Sequence, residues 1–198
     1  LKDRFLMLIN READNAKKGK KARIVAKMNS LCDPMIIEAL YKASAAGVQI
    51  DLIIRGICCL KVGIPGISEN IRVRSIVGNF LEHSRIFYFY NDGFEDVYMG
   101  SADWMPRNLD KRVEITFPVE DETLKQEVID ILKLQLADTL KAHILLPDGR
   151  EYAKQDLRGL EKIAAQDEFC KQAMNRKSKI DKDVVRNIFE PAVPPAEE

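Results

Sequence analysis

Residues 22–54 read ARIVAKMNSLCDPMIIEALYKASAAGVQIDLII, and this stretch decides the fold. Ala22 to Met28 has the alternation of a strand. Asn29-Ser30-Leu31-Cys32 leads into Asp33-Pro34, a helix-capping residue followed by proline at the first helical position. Ile36, Ile37, Leu40 and Ala43 give the helix its apolar stripe, and Gly47 stands where a C-terminal glycine stop belongs. Val48 to Ile54 follows at once, nearly continuous in apolar residues, as in a strand covered on both faces. Strand, helix, strand with short joints predicts a βαβ unit with parallel pairing and a right-handed crossover.

Outward from this unit, Leu1 to Lys18 places Phe5, Leu8, Ile9 and Ala13 at helical intervals, and the lysines from Lys17 to Lys21 read as a solvated turn. Leu1 falls inside that helical pattern, which suggests a piece of a longer protein. Downstream, strands are expected at Ile71–Ile76, Arg85–Tyr90, Asp96–Met99 and Arg112–Phe117, with Asn91-Asp92-Gly93 as a hairpin turn. In the last strand Val113, Ile115 and Phe117 would share one face. Glu120 to Ala142 reads as a long amphipathic helix closed by His143, whose charge would suit a helix C-terminus. Tyr152 to Asn175 carries a weaker helical pattern through Leu157 and Leu160, and the end from Glu190 is a proline-rich tail. The class is α/β, a mixed β-sheet flanked by helices. The expected divisions are a catalytic domain over 1–145, a helical extension over 146–189 and a mobile tail over 190–198.

A chain of 198 residues can bury a sizeable core. Lys+Arg and Asp+Glu both number 31, so no global field draws it to nucleic acid or membrane, and any basic patch is local. Cys32, Cys58, Cys59 and Cys170 lack a C-x-x-C spacing and read as reduced, mostly buried thiols of a cytoplasmic protein. No apolar run approaches the ~20 residues of a membrane span. Membrane-peripheral attachment stays open. No cluster of His, Cys, Asp or Glu has metal-ligand spacing, so a metal held by protein ligands alone is not expected.

Chemistry concentrates between Ile71 and Phe117, where Arg72, Arg74, Arg85, Arg107 and Arg112 alternate with strand signals around His83. Planar bidentate donors suit phosphate oxygens, and a histidine adds a group that exchanges a proton near neutral pH. Arg85 is two residues beyond His83 and so shares its face of an extended chain. Gly100-Ser101-Ala102-Asp103 supplies hydroxyl, carboxylate and backbone N–H groups after the next strand. Arg55 closes the second strand of the βαβ unit, the end where ligands sit in open α/β sheets. No G-x-x-x-x-G-K-[ST] occurs, which excludes a P-loop.

The H-x-R and G-S-x-D strings outline a phospholipase D-like half-site in which Arg85 replaces the usual lysine and Asp103 the usual asparagine. Four longer runs, Ile54-Arg55-Gly56 with Cys58 and Leu60, Ser68 to Val73, Phe80-Leu81-Glu82-His83-Ser84-Arg85, and Gly100 to Asn108, resemble the C-terminal part of histidine-phosphorylated polyphosphate kinases. That resemblance covers about Leu1 to Ala142. It implies a phospholipase D-like fold and reversible transfer of the ATP γ-phosphate to polyphosphate through a phosphohistidine. Mg²⁺ would accompany ATP or ADP, in a homo-oligomer without nucleic acid. It further implies that Arg55, His83 and Arg112 contact phosphate, with His83 as general acid/base, and that Arg85, Ser101 and Asp103 support them. The phosphorylated histidine and the metal-associated residues would lie in domains upstream of Leu1, so this chain alone is expected to be inactive. Two other readings remain open: a phosphodiesterase or nuclease half-site completed by dimerisation, and a non-catalytic phosphate-binding domain.

Overall fold

Asp33 opens the central helix: its Oδ1 accepts the N–H groups of Met35 and Ile36, both at 3.1 Å. Two donors that a helix start leaves unpaired are thereby satisfied. This helix, α2, follows an N-terminal helix α1 (Lys2–Lys17) and runs Pro34–Ala45. Gly47 takes φ +101°, a left-handed turn that feeds the chain back at once into the sheet. Strands β1 (Arg23–Met28) and β2 (Gln49–Ile54) flank α2 and pair in parallel, Met28 opposite Ile54. The βαβ unit stands as the sequence predicts.

The structure is a computed structural model describing residues 1–147, 149 and 151–177. The chain divides into two compact units, Leu1–Ala165 and Gln166–Glu198. The first holds the remaining strands: β3 (Ile71–Ile76), β4 (Arg85–Phe89), β5 (Asp96–Gly100), β6 (Thr116–Pro118), β7 (Ala142–Leu145) and β8 (Tyr152–Lys154), with helix α3 (Glu122–Leu136). They form one eight-stranded mixed sheet in the order β6-β5-β4-β1-β2-β3-β7-β8. β1, β2 and β3 run parallel, and β4 returns antiparallel to β1. The mixed sheet flanked by helices agrees with the class read from the sequence. The described residues of the second unit, 166–177, belong to helix α4 (Ala165–Lys177).

Strand alternation sorts the side chains into two cores. Ile24, Ala26, Leu52, Val73 and Phe87 join Phe5, Leu8 and Leu40 of α1 and α2 on one face. There Trp104, fully buried, stacks on Phe87 at 5.2 Å between ring centroids and meets Phe5 edge-on. Val25, Ile53, Ile86 and Val97 meet Val128, Ile129 and Leu132 of α3 on the other. Both outer strands are three residues long, and β6 ends at Pro118. Among the described residues, no helix is long and apolar enough to cross a membrane.

Five expectations are corrected. The helix expected over Glu120–Ala142 ends at Leu136, because the Asp138 carboxylate accepts the N–H groups of Lys141 and Ala142 and turns the chain. His143 therefore lies in β7, opposite Ser75 of β3, rather than at a helix end. The strand expected over Arg112–Phe117 is paired only from Thr116. Arg112 to Ile115 extends without a ladder, and Val113 and Ile115 face solvent. The segment from Tyr152 to Asn175 starts with β8, and its helix begins only at Ala165, since Gly159 sits at φ +74° in a turn. Strands β7 and β8 pair antiparallel, Leu145 opposite Tyr152. The proline-rich tail lies outside the described residues. All four cysteines are free, but they are not mostly buried as expected: Cys32, Cys58 and Cys170 are half-buried and Cys59 is exposed.

Gly100 is a test of the edge pairing. A Cβ there would come within 2.3 Å of Ile115 O and 2.7 Å of Thr116 Oγ1, so backbone must move to admit it. Gly100→Ala should cost roughly 1–3 kcal/mol, the usual range for overpacking. A urea midpoint equal to wild type would show that β6 yields freely.

Candidate functional site

The polarity of the sheet gathers the candidate residues at one edge. Parallel β1 and β2 end there, antiparallel β4 and β6 begin there, and β5 ends there. Along that edge the order is Arg112 before β6, Ser101 and Asp103 after β5, His83 and Arg85 at the start of β4, Asn29 after β1, and Arg55 after β2. Arg55, His83, Arg85, Ser101, Asp103 and Arg112 lie on this rim, whereas Arg72 and Arg74 sit within β3, Arg72 paired with Asp51, and His143 lies in β7 on the far side of β3.

Asp103 ties three strand ends together. It is only 5% exposed. Its Oδ1 accepts the Asn29 N–H at 2.8 Å and Arg85 Nε at 3.1 Å, and its Oδ2 accepts Arg85 Nη2 at 3.2 Å. This forked ion pair holds the guanidinium that the sequence would aim at an anion. The next residue adds to the knot: Trp104 O accepts the N–H groups of Cys32 and Asp33, so the loops after β1 and β5 are joined backbone to backbone. Trp104 packs in the core and does not wall the site.

His83 is exposed, with Nδ1 3.4 Å from Asn29 Nδ2. Asn29 is itself buried and fixed at both backbone groups, by Asp103 on its N–H and by Gly56 N–H on its carbonyl at 2.7 Å. Arg55 donates from Nη1 to Glu82 O at 3.0 Å, and Arg85 from Nη1 to His83 O at 2.6 Å. Both arginines thus engage the backbone of the His83 loop as well as facing the rim.

Ser101 serves the outer end of the rim. Its backbone N–H donates to Ile115 O, its hydroxyl oxygen accepts the Ile115 N–H at 3.1 Å, and the hydroxyl donates to the Glu114 carboxylate. Asn108, buried on a π-helical turn (Arg107–Lys111), donates to the same carboxylate. The Ser101 hydrogen bond, Asn108 and the nearby charges of Arg112 and Arg85 hold the Glu114 carboxyl below its usual range. Arg112 follows that turn and is exposed.

Sequence reasoning missed Lys27, Asn29, Glu82 and Glu114. Lys27 carried a signal, since it interrupts an apolar strand one residue before the rim. It is 4% exposed, and burial pushes its ammonium pKa down, while Glu82 at 3.3 Å counters that. Glu82 in turn accepts from Gln135 of α3. Burial also pushes the Cys58 thiol up to about 11, which makes it a poor nucleophile at neutral pH. Among the described residues, no group of three or more His, Cys, Asp or Glu gathers as metal ligands would.

The family model described as "Polyphosphate kinase C-terminal domain 2" matches residues 1–166. The chain is 53% identical over 174 residues to a polyphosphate kinase of Synechocystis, covering 88% of this chain and 24% of that protein. It is 59% identical over 149 residues to a polyphosphate kinase of Pseudomonas aeruginosa, covering 75% and 22%. The crystal structure of polyphosphate kinase from Porphyromonas gingivalis superimposes with a TM-score of 0.85 at 42% identity, over 91% of this chain and 28% of that one. The chain spans about a quarter of the length of these relatives.

Two outcomes follow from the geometry. Asp103→Asn leaves the Arg85 side chain, 10% exposed, without its counter-charge, and should cost about 3 kcal/mol, as when one partner of a buried ion pair is removed. Urea unfolding checks this, and an unchanged midpoint refutes it. For Glu114 the sign runs with a depressed carboxyl: its stabilisation is complete above the ordinary glutamate range and is lost as pH falls through its lower folded value. Protection of the Ser101 and Ile115 amides, measured against intrinsic exchange rates at each pH, should therefore fall in acid more than protection within β1, and Glu114→Gln should flatten that difference.

Proposed function

The chain belongs to the polyphosphate kinase family, as its C-terminal domain 2, and on that premise we propose that it forms one side of an ATP–polyphosphate phosphotransferase site. The observation that carries this reading is the rim itself: one exposed histidine beside two arginines at the strand ends, with a third arginine further along. Phosphoryl transfer needs little covalent help from a protein. It needs the reacting oxygens aligned, their charge neutralised and a proton handled at the nucleophile or leaving group.

In this reading Arg55 and Arg112 bind phosphate oxygens of ATP, ADP or polyphosphate from the two ends of the row. His83, with Nε2 facing away from the Asn29 contact at Nδ1, exchanges the proton as charge shifts between leaving and accepting oxygens. Arg85 stabilises from behind, since Asp103 and His83 O already engage it. That engagement also weakens the phosphodiesterase reading, which needs a cation free at the position next to the histidine. Ser101 shapes the loop that presents Arg112 by fixing Glu114. The phosphorylated histidine would come from the upstream part of a longer polypeptide, in a cytoplasmic enzyme that associates with further copies of itself. Mg²⁺ would arrive on the nucleotide's phosphates. Among the described residues no cluster of this chain's own would hold it, and no step depends on one.

In the full-length enzyme, His83→Ala should lower turnover by about 10²–10⁴, the share of a positioned acid/base, with folding unchanged by circular dichroism. Arg55→Ala and Arg112→Ala should weaken nucleotide or polyphosphate binding in calorimetric titration, and Arg55→Lys should restore it only in part. The chain alone, incubated with γ-labelled ATP and Mg²⁺, should yield no labelled polyphosphate and no acid-labile, base-stable label on His83 or His143. Wild-type turnover for His83→Ala, or label on either histidine, overturns the assignment.

A further inference from the structure

Three consecutive backbone carbonyls on the His83 loop each accept a hydrogen bond from a different cation. Glu82 O is held by Arg55 Nη1 at 3.0 Å, His83 O by Arg85 Nη1 at 2.6 Å, and Ser84 O by Lys27 Nζ at 3.2 Å. The cations arrive from different directions. Lys27 projects from β1 on the α3 face, with Val25. Arg85 projects on the opposite face, with Phe87, and Arg55 comes from the end of β2. We propose that this three-cation clamp sets the position of His83, and that Lys27, remote from the rim's surface, is a positioning residue for the reaction.

The case for Lys27 is one of donor arithmetic. An ammonium carries three N–H donors and no acceptor. Lys27 Nζ has three acceptors within reach: Ser84 O at 3.2 Å, Ser84 Oγ at 3.0 Å and Glu82 Oε2 at 3.3 Å. All three belong to the two residues on either side of His83. A cation at 4% exposure carries a desolvation cost that only close partners offset, and here each partner pins the histidine's neighbours. A methionine of similar length would fill the same space between Val25 and the rim and avoid that cost. Gln135 of α3 fixes the Glu82 carboxylate from the far side, so the loop is anchored to β1, β2 and α3 together. The assignment rests on His83 acting as the acid/base group, but the clamp can be read without any turnover.

The chain has only two histidines, so their ring signals separate cleanly, and His143 in β7 serves as an internal control. In the isolated chain with labelled histidine, Lys27→Met should shift and broaden the His83 ring resonances and leave those of His143 in place. Ser84→Ala, at an exposed position that cannot unfold the core, removes one of the three acceptors and should move His83 in the same direction by less. In the full-length enzyme Lys27→Met should lower kcat by about tenfold to a hundredfold, the scale for a displaced reactive group, with KM for ATP within about twofold. Unmoved His83 signals in both variants overturn the proposal, as does a Lys27→Met enzyme whose KM rises while kcat holds. If His83→Ala is fully active but Lys27→Met still displaces the ring, the clamp stands and the acid/base reading falls.

Discussion

One buried carboxylate organises the rim. Asp103 is out of water, so its charge is stable there only because Arg85 forks onto it and the Asn29 N–H completes its acceptor set. Those two partners come from the start of β4 and the end of β1, which are neighbours in the sheet but far apart in sequence. A carboxylate of this kind is unforgiving: each oxygen unpaired in a low-dielectric setting costs more than a surface salt bridge ever returns. The loops after β1 and β5 and before β4 are therefore fixed relative to one another by electrostatic need. Apolar packing of Trp104 on Phe87 beneath them makes the same connection from the core side.

This dual fastening explains how an exposed histidine can be well placed. Among the described residues, the His83 ring makes one long polar contact, to Asn29. Its backbone is where the constraint lies, with cations on its own carbonyl and on those of both neighbours. The side chain is left accessible to a reacting group while the main chain that carries it is held. Such a division suits catalysis, because the entropy of orienting the group is already removed before substrate arrives. It also reassigns the arginines, which the sequence offers as anion ligands and the structure uses equally as scaffolding.

The fold was legible wherever local chemistry and tertiary demand coincide. Asp33-Pro34 and Gly47 mark both ends of α2 because caps depend on the immediate chain. The sequence misplaces elements where a distant partner decides. Asp138 ends α3 early through its own side-chain bonds to Lys141 and Ala142, and Ile144 then pairs with Arg74 in β3, a contact no window of sequence contains. Arg112 to Ile115 alternates like a strand, yet Glu114 is drawn aside by Ser101 and Asn108 and the ladder starts only at Thr116. In the site, His83, Arg55 and Asp103 were readable as residue types. Lys27 showed only as a charge interrupting an apolar strand and Asn29 not at all, because their roles come from cross-strand neighbours that only the register of β1 and β4 reveals.

The short outer strands have a consequence for how this protein meets others. A sheet with open edges can recruit a foreign strand and grow into an aggregate. Here β6 offers three residues and ends at a proline that has no N–H to donate, and β8 also offers three. Neither provides a long, flat row of unpaired backbone groups. Association by strand addition is thus disfavoured at both sides of the sheet, and partners are steered toward side-chain surfaces, where shape and charge can discriminate between them.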